Sequence, residues 1–424
     1  MKIFLSADHK NLLSRIFSLL LGILVNLYIA EQIHLHYSPH IFVKYVFFQS
    51  FSLFISFCDF GLAQKLYSDL TGRHGNIKTN VNLVNLAISK SIYISTLYIA
   101  SSFGIFYFLS KQDKLNWAGE NLFTYMFTSF CLFLTIPLNM VYQAFNANTE
   151  YFKVVLFQAT STLFVPFFWL LLNSFFPQKY FLVACIPSIS LLLSSSIAFY
   201  FYFRSSKSKF KLTRIPLRII IPEMKLSIWN SVLGICTFLQ IQIPRYYMNF
   251  IGTKNDQLSI SYILFFSIPL QTLIYSLSIN ATTNLRFSGK TISIKYLGRS
   301  TWKNLFLFLL FCLVFSYPIF ILIQDNILSK LTYSEILISF FLAAQNSAWL
   351  LILILHTSAE FSRRFSLIFL FFSGFSILLS IAFGVSQLSL YLAVIYIPSN
   401  FLIIGSLLYW DSKASEMVEH DTEN

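Results

Sequence analysis

The chain has 424 residues, 56% hydrophobic and only 11% charged, with a mean hydropathy of +0.67. A soluble fold carries about 25% charge to cover its surface, so a cytosolic enzyme, a disordered chain and a disulfide scaffold are excluded and most of the chain takes lipid as its solvent. The net charge of +13, from 30 basic and 17 acidic residues, fits either nucleic acid or membrane topology, and its distribution decides between them.

Met1 to Lys10 precede an apolar run from Leu12 to Ala30 with no small-residue cleavage site behind it, which reads as a retained first span. A spanning helix needs about 20 mostly apolar residues. Twelve segments meet that length: 11–30, 41–63, 81–109, 121–146, 153–176, 180–203, 226–250, 258–284, 303–323, 335–355, 365–385 and 388–409. Period-2 alternation is missing, so a β-barrel is not expected. The expected fold is an all-α polytopic membrane protein of about twelve transmembrane helices.

With the N-terminus inside, 22 of the 30 basic residues fall in inside segments, and the bias alternates correctly over all twelve spans. No nucleic-acid partner is then needed, and both termini are expected in the cytoplasm. The longest inside loop is basic and divides the chain near its middle. The expected organisation is a six-helix lobe over 1–203, an inter-lobe loop over 204–225, a second six-helix lobe over 226–410 and a cytoplasmic tail over 411–424. Two such halves are what a transporter built from structural repeats shows.

Scattered Ser and Thr mark helix packing in most spans, but four spans carry longer polar rows. Span one has Asn11, Ser14, Ser18, Gly22 and Asn26, with Arg15 adjacent. Span two has Tyr45, Gln49, Ser52, Ser56 and Asp59, with Lys44 beside them. Span seven has Asn230, Gly234, Thr237, Gln240 and Pro244, followed by Arg245, and span eight has Gln271, Tyr275, Ser278 and Thr282. These rows admit two readings: hydrogen-bonded seams between helices, or the lining of a water-accessible cavity between the halves. Gln, Asn and Asp favour the second, being harder to satisfy against lipid. The cavity candidates are Arg15, Asn26, Lys44, Gln49, Asp59, Lys90, Gln240, Arg245 and Gln271. Snorkelling competes with this role for Lys90 and Arg245, and capping or ion pairing competes with it for Asp59.

Chemistry-bearing motifs are missing. There is no Walker A sequence, no HExxH, no GxSxG and no paired-cysteine pattern, so neither a cofactor nor a metal is expected. The five cysteines lie in apolar runs and read as small buried hydrophobes. His34, His36 and His40 read as part of a solvated first loop. A membrane polysaccharide polymerase would need a sizeable outside loop carrying acid/base groups, and the outside loops here are short.

Four stretches carry a resemblance over essentially the whole chain: Phe42 to Ser50 (FVKYVFFQS) running into Cys58 to Gln64 (CDFGLAQ); Val141 to Asn146 (VYQAFN) through Glu150 to Lys153 (EYFK); Tyr246 to Gly252 (YYMNFIG) through Ser261 and Tyr262; and His356 to Arg364 (HTSAEFSRR). With the twelve-span layout they resemble the Wzx-type lipid-linked oligosaccharide flippases of the multidrug/oligosaccharidyl-lipid/polysaccharide exporter superfamily. The resemblance implies a transporter and not an enzyme. It would translocate an undecaprenyl-pyrophosphate-linked oligosaccharide from the cytoplasmic to the periplasmic face of a bacterial inner membrane, for O-antigen or other polysaccharide synthesis. It also implies association with a polysaccharide polymerase and a chain-length regulator. Such flippases take the anionic head group in a cationic cavity; only Arg15, Lys44, Lys90 and Arg245 qualify here. The alternatives are an ion-coupled small-molecule antiporter of the same superfamily and, in a different class, the polymerase.

Overall fold

A computed structural model describes residues 7–37, 41–43, 45–46, 49, 58–72, 77–111, 122–148, 150–175, 181–216, 218–222, 228–229, 232, 236, 242–245, 247–248, 252–253, 255–265, 333, 337–338, 342, 359–384, 391–396, 398–399, 402 and 405. Among the described residues there is no strand, in keeping with the all-α expectation. The chain forms two compact units, Met1–Ser231 and Val232–Asn424.

The first unit holds α1 (Ala7–His36), α2 (Leu62–Gly72), α3 (Ile77–Lys111), α4 (Leu122–Ala147), α5 (Tyr151–Phe175) and α6 (Phe181–Ser205). At 1.5 Å per residue, α3 to α6 are each longer than the ~30 Å hydrocarbon core. Each contains a stretch apolar enough to cross it: Val81–Phe108, Leu122–Ala147, Phe152–Phe175 and Cys185–Ser205. Packing runs from α1 to α5, α5 to α6, α6 to α4 and α4 to α3, with α2 lying against α3 and α4.

The sorting of residues is that of a protein solvated by lipid. Leu97, Ile105 and Phe108 on α3 and Leu163, Phe167 and Leu170 on α5 are exposed, while Ser89, Ser91, Ser95, Thr128, Thr135, Ser188, Ser194 and Ser195 are buried. Lipid tails are as apolar as Leu, so helices associate through close packing and hydrogen bonds between small polar groups. Ser195 Oγ donates to Asn139 Oδ1 at 2.8 Å, tying α6 to α4, and Thr128 Oγ1 lies 3.6 Å from Cys185 Sγ across the same pair. The chain is a multi-pass membrane protein.

Among the described helices of the first unit, Pro137 sits inside α4, Pro166 inside α5 and Pro187 inside α6. Each deprives the carbonyl four residues earlier of its donor. For Pro137 that carbonyl belongs to Phe133, and Ser95 Oγ of α3 donates to it across the helix pair.

Two features differ from the sequence expectation. The second span was placed over 41–63, yet residues 58–61 form a turn and a separate helix, α2, follows. Its Leu62, Leu66 and Leu70, spaced four apart, are buried in the unit's core. The first loop was expected to begin near residue 31, but α1 runs on to His36, so His34 and His36 ride on its last turn; His40 lies outside the described residues.

The second unit is described in shorter pieces around one apolar cluster that includes Ile243, Tyr247, Met248, Ile260, Leu264, Leu342, Tyr391 and Tyr396. Met248 lies on helical backbone, and the Gly252 amide donates to its carbonyl at 2.8 Å. A β-carbon at Gly252 would stand 2.8 Å from that same oxygen, so only glycine fits the exit. Thr253 and Asp256 then cap the next helix reciprocally: Asp256 N–H donates to Thr253 Oγ1, and Thr253 N–H donates to Asp256 Oδ2. Further on come α7 (Ala359–Ala382) and a π-helical turn, Tyr391–Tyr396, which pack together. On α7 the buried residues Ser366, Phe369, Ser373, Ser376 and Ser380 recur at helical spacing, while Leu367, Leu370, Phe371, Phe375, Leu378 and Ile381 face outward.

Candidate functional site

Of the sequence-selected residues, Lys44, Gln240 and Gln271 lie outside the described residues. Arg15 is placed on α1 by its backbone; its side chain is outside the description. Asn26 is buried on α1 and Gln49 is half-buried. Lys90 is buried on α3, ~13 Å along the helix from Val81, enclosed by the unit rather than facing lipid.

Asp59 is buried with defined partners. One carboxylate oxygen accepts from the Gly61 N–H at 3.0 Å and the other from the Ala63 N–H at 2.6 Å. It thereby satisfies one turn amide and one first-turn donor, the Ala63 N–H, that α2 cannot satisfy itself. The turn it fixes carries positive φ at Phe60 (53°) and Gly61 (73°). This unusual backbone lays the Phe60 ring on Tyr98, which in turn stacks on Phe133 with centroids 5.0 Å apart. The geometry gives Asp59 the work of a helix cap.

The second unit holds a denser polar group. Gln242 and Arg245 are three residues apart on helical backbone and share a face. Pro244, next to Arg245, cannot donate a backbone hydrogen bond. Arg245 is completely buried and Gln242 is 1% exposed. Both Oε1 and Nε2 of Gln242 are buried without a hydrogen-bond partner. Such an amide costs roughly 1–3 kcal/mol on protein mutational scales, so its retention at this depth needs a reason. A ligand presenting both a donor and an acceptor would supply one.

Beside this helix stands a tyrosine stack. The Tyr247 ring lies parallel to Tyr391 at 4.5 Å, and Tyr391 lies 6.3 Å from Tyr396. Tyr391 Oη is buried without a hydrogen-bond partner. Tyr391 and Tyr396 bound the π-helical turn, a geometry frequent at functional sites.

Arg245 was singled out in the sequence, whereas Gln242 was not. The polar row over span seven was anchored on Asn230, Gly234, Thr237, Gln240 and Pro244, which fixes a neighbouring face. Counting back three residues from Arg245 reaches Gln242. Among the described residues the charged side chains buried in the protein are Asp59, Lys90 and Arg245, two of them cationic. The same residues hold no cluster of His, Cys, Asp and Glu suited to a metal.

No family profile matches the chain, and no curated protein does. Solved structures do. A multidrug resistance MATE family transporter of the MOP superfamily, in an inward-facing conformation, is 12% identical over 96% of this chain and 99% of its own, with a TM-score of 0.59. A mutant of the Vibrio cholerae MATE transporter VcmN is 12% identical over 96% and 97%, with a TM-score of 0.60. A MOP superfamily transporter from Pyrococcus furiosus, whose binding pocket of reversed polarity suggests a different function, is 11% identical over 96% of both chains, with a TM-score of 0.55. The chain thus shares the fold of MATE transporters along nearly its whole length.

Proposed function

We propose that the chain is a membrane transporter working by alternating access, and that its substrate is an amphiphile with an anionic, hydroxyl-rich head. The observation that carries this reading is the pair Gln242 and Arg245: a buried guanidinium one helical turn from an amide with an unfilled donor and acceptor. Guanidinium pairs with phosphate, and an amide of this kind suits sugar hydroxyls. Within the first unit Lys90 is also a buried cation, and the Asp59 carboxylate is engaged with two backbone amides. An undecaprenyl-pyrophosphate-linked oligosaccharide fits this description and is the substrate we assign. The head group cannot cross the hydrocarbon core unaided. The basic bias of the even-numbered loops supports a bacterial inner membrane with both termini in the cytoplasm. A polysaccharide polymerase and a chain-length regulator are the partners such a substrate implies.

A second reading has its own support. The structures that share the fold include multidrug MATE transporters, which fit an ion-coupled antiporter of small molecules at least as well as a flippase. The Pyrococcus furiosus transporter offers a precedent for a changed pocket on this fold. The deciding experiment reconstitutes the purified protein in liposomes. Labelled undecaprenyl-pyrophosphate oligosaccharide loaded in one leaflet should become accessible in the other, and Arg245→Gln should slow that at least about tenfold. Proton- or sodium-driven efflux of an organic cation, with no movement of the lipid-linked sugar, would favour the antiporter instead.

A further inference from the structure

The segment that runs on from the end of α6 carries a surface that transport does not account for. From Arg204 to Pro222 the sequence contains Arg204, Lys207, Lys209, Lys211, Arg214 and Arg218 and no acidic residue. All six cations are exposed. Apolar side chains stand out beside them: Phe210, Leu212 at 62% exposure, Ile219 and Ile221. Ile215 and Ile220 point the other way and are buried.

This strap is held in place. The Thr213 N–H donates to Ser89 Oγ at 3.0 Å and the Lys211 N–H to Asn85 Oδ1 at 3.4 Å, both on α3. The Phe210 ring packs edge-on against Phe199 and Phe203 of α6. Lys211 and Thr213 form one wall of a cavity of about 290 Å³ whose other wall is Asn82, Leu83, Asn85 and Leu86. Hydrogen bonds, more than apolar burial, therefore position residues 211–213 against α3.

We infer that the strap is a docking surface for anionic phospholipid head groups of the leaflet into which α6 ends. Its position is fixed at that interface, because α6 spans the membrane and its last residue is Ser205. Six cations without a compensating acid attract an anionic surface, and the attraction decays within a Debye length. Exposed Leu212, Ile219 and Ile221 would be a liability in water; at the boundary between head groups and acyl chains they are buried, as in interfacial amphipathic segments. Charge and apolar side chains thus point to one occupant, the lipid surface itself. The inference needs only a membrane-spanning α6 and is independent of the transported substrate.

The test uses the full-length protein in nanodiscs of phosphatidylcholine, with or without about a third phosphatidylglycerol. Amide hydrogen exchange of peptides covering residues 204–222 should slow by about fivefold or more in the anionic discs, and high salt should remove the difference. A variant combining Lys207→Gln, Lys209→Gln, Lys211→Gln and Arg214→Gln should exchange alike in both discs while α3 and α6 keep their protection, which shows that it is folded. Equal exchange of the unaltered protein in the two discs would overturn the inference. So would a lipid effect that survives in the glutamine variant, or strap protection conferred by an added polyanion such as RNA but not by anionic lipid.

Discussion

The hydroxyl of Ser95 on α3 donates to the backbone carbonyl of Phe133 on α4, the acceptor that Pro137 strips of its intrahelical partner. A proline in a membrane helix normally exposes an orphan carbonyl that hydrocarbon cannot solvate. Here the neighbouring helix supplies the donor, so a local defect becomes a point of attachment. Tyr98, one turn along from Ser95, stacks on the ring of the same Phe133, which anchors the contact from a second side.

Ser95→Ala should therefore destabilise the α3–α4 pair by about 0.6–1.7 kcal/mol, the range for hydrogen bonds between membrane helices. Pro137→Ala restores a backbone donor to Phe133, so the loss caused by Ser95→Ala should shrink in the Pro137→Ala background. A double-mutant cycle read by unfolding in mixed micelles measures this. Strict additivity would show that Ser95 and Pro137 are not coupled.

Asp59 gives a sharper discrimination. As a cap it accepts from the Gly61 and Ala63 amides through separate oxygens, whereas Asn keeps one acceptor and turns an NH2 donor toward the other amide. Asp59→Asn should lose part of the cap's stability and keep transport close to the unaltered protein, whereas Asp59→Ala, which removes both acceptors, should lose about 1–2 kcal/mol and also keep transport. Loss of transport in Asp59→Asn with unchanged stability would instead make Asp59 an ion-coupling carboxylate.

Gln242 should behave oppositely in folding and in function. Replacing a buried amide that has no partner with an apolar side chain of similar size removes a desolvation cost. Gln242→Leu should thus raise stability by about 1 kcal/mol and lower transport in the liposome assay. A variant that loses both would show that the amide is needed for the fold.

Much of this architecture is visible in the sequence because lipid imposes a length. The expected spans 121–146, 153–176 and 180–203 are observed as α4, α5 and α6 within two residues at each end. Helix α2 was hidden for the same reason: at 11 residues it is too short and too polar to count as a span. Its Leu62, Leu66 and Leu70 repeat was nonetheless present. The polar rows could not say which partner each residue meets. Asp59 shared a face with Gln49, yet its oxygens turn to the amides of the next helix, a choice set by positive φ at Phe60 and Gly61 that no periodicity encodes. Likewise the serines of α7 looked like dispersed packing residues until their common burial set them against an exposed Leu and Phe face.

The anchoring of the basic strap rests on two buried side chains of α3 that act as a relay. Ser89 Oγ donates to the Asn85 carbonyl at 2.8 Å and accepts from the Thr213 amide, while Asn85 Oδ1 accepts from the Lys211 amide. Alanine at both positions removes the acceptors but leaves the Phe210 packing against α6 untouched. In Asn85→Ala/Ser89→Ala, exchange of the Thr213 amide should rise by about five- to tenfold, the equivalent of one hydrogen bond, while amides near Phe210 keep their rates. Ser89→Ala should account for more of the change than Asn85→Ala, since its bond to the strap is 0.4 Å shorter (3.0 against 3.4 Å). Unchanged exchange at Thr213 would mean that ring packing and the burial of Ile215 alone fix the strap.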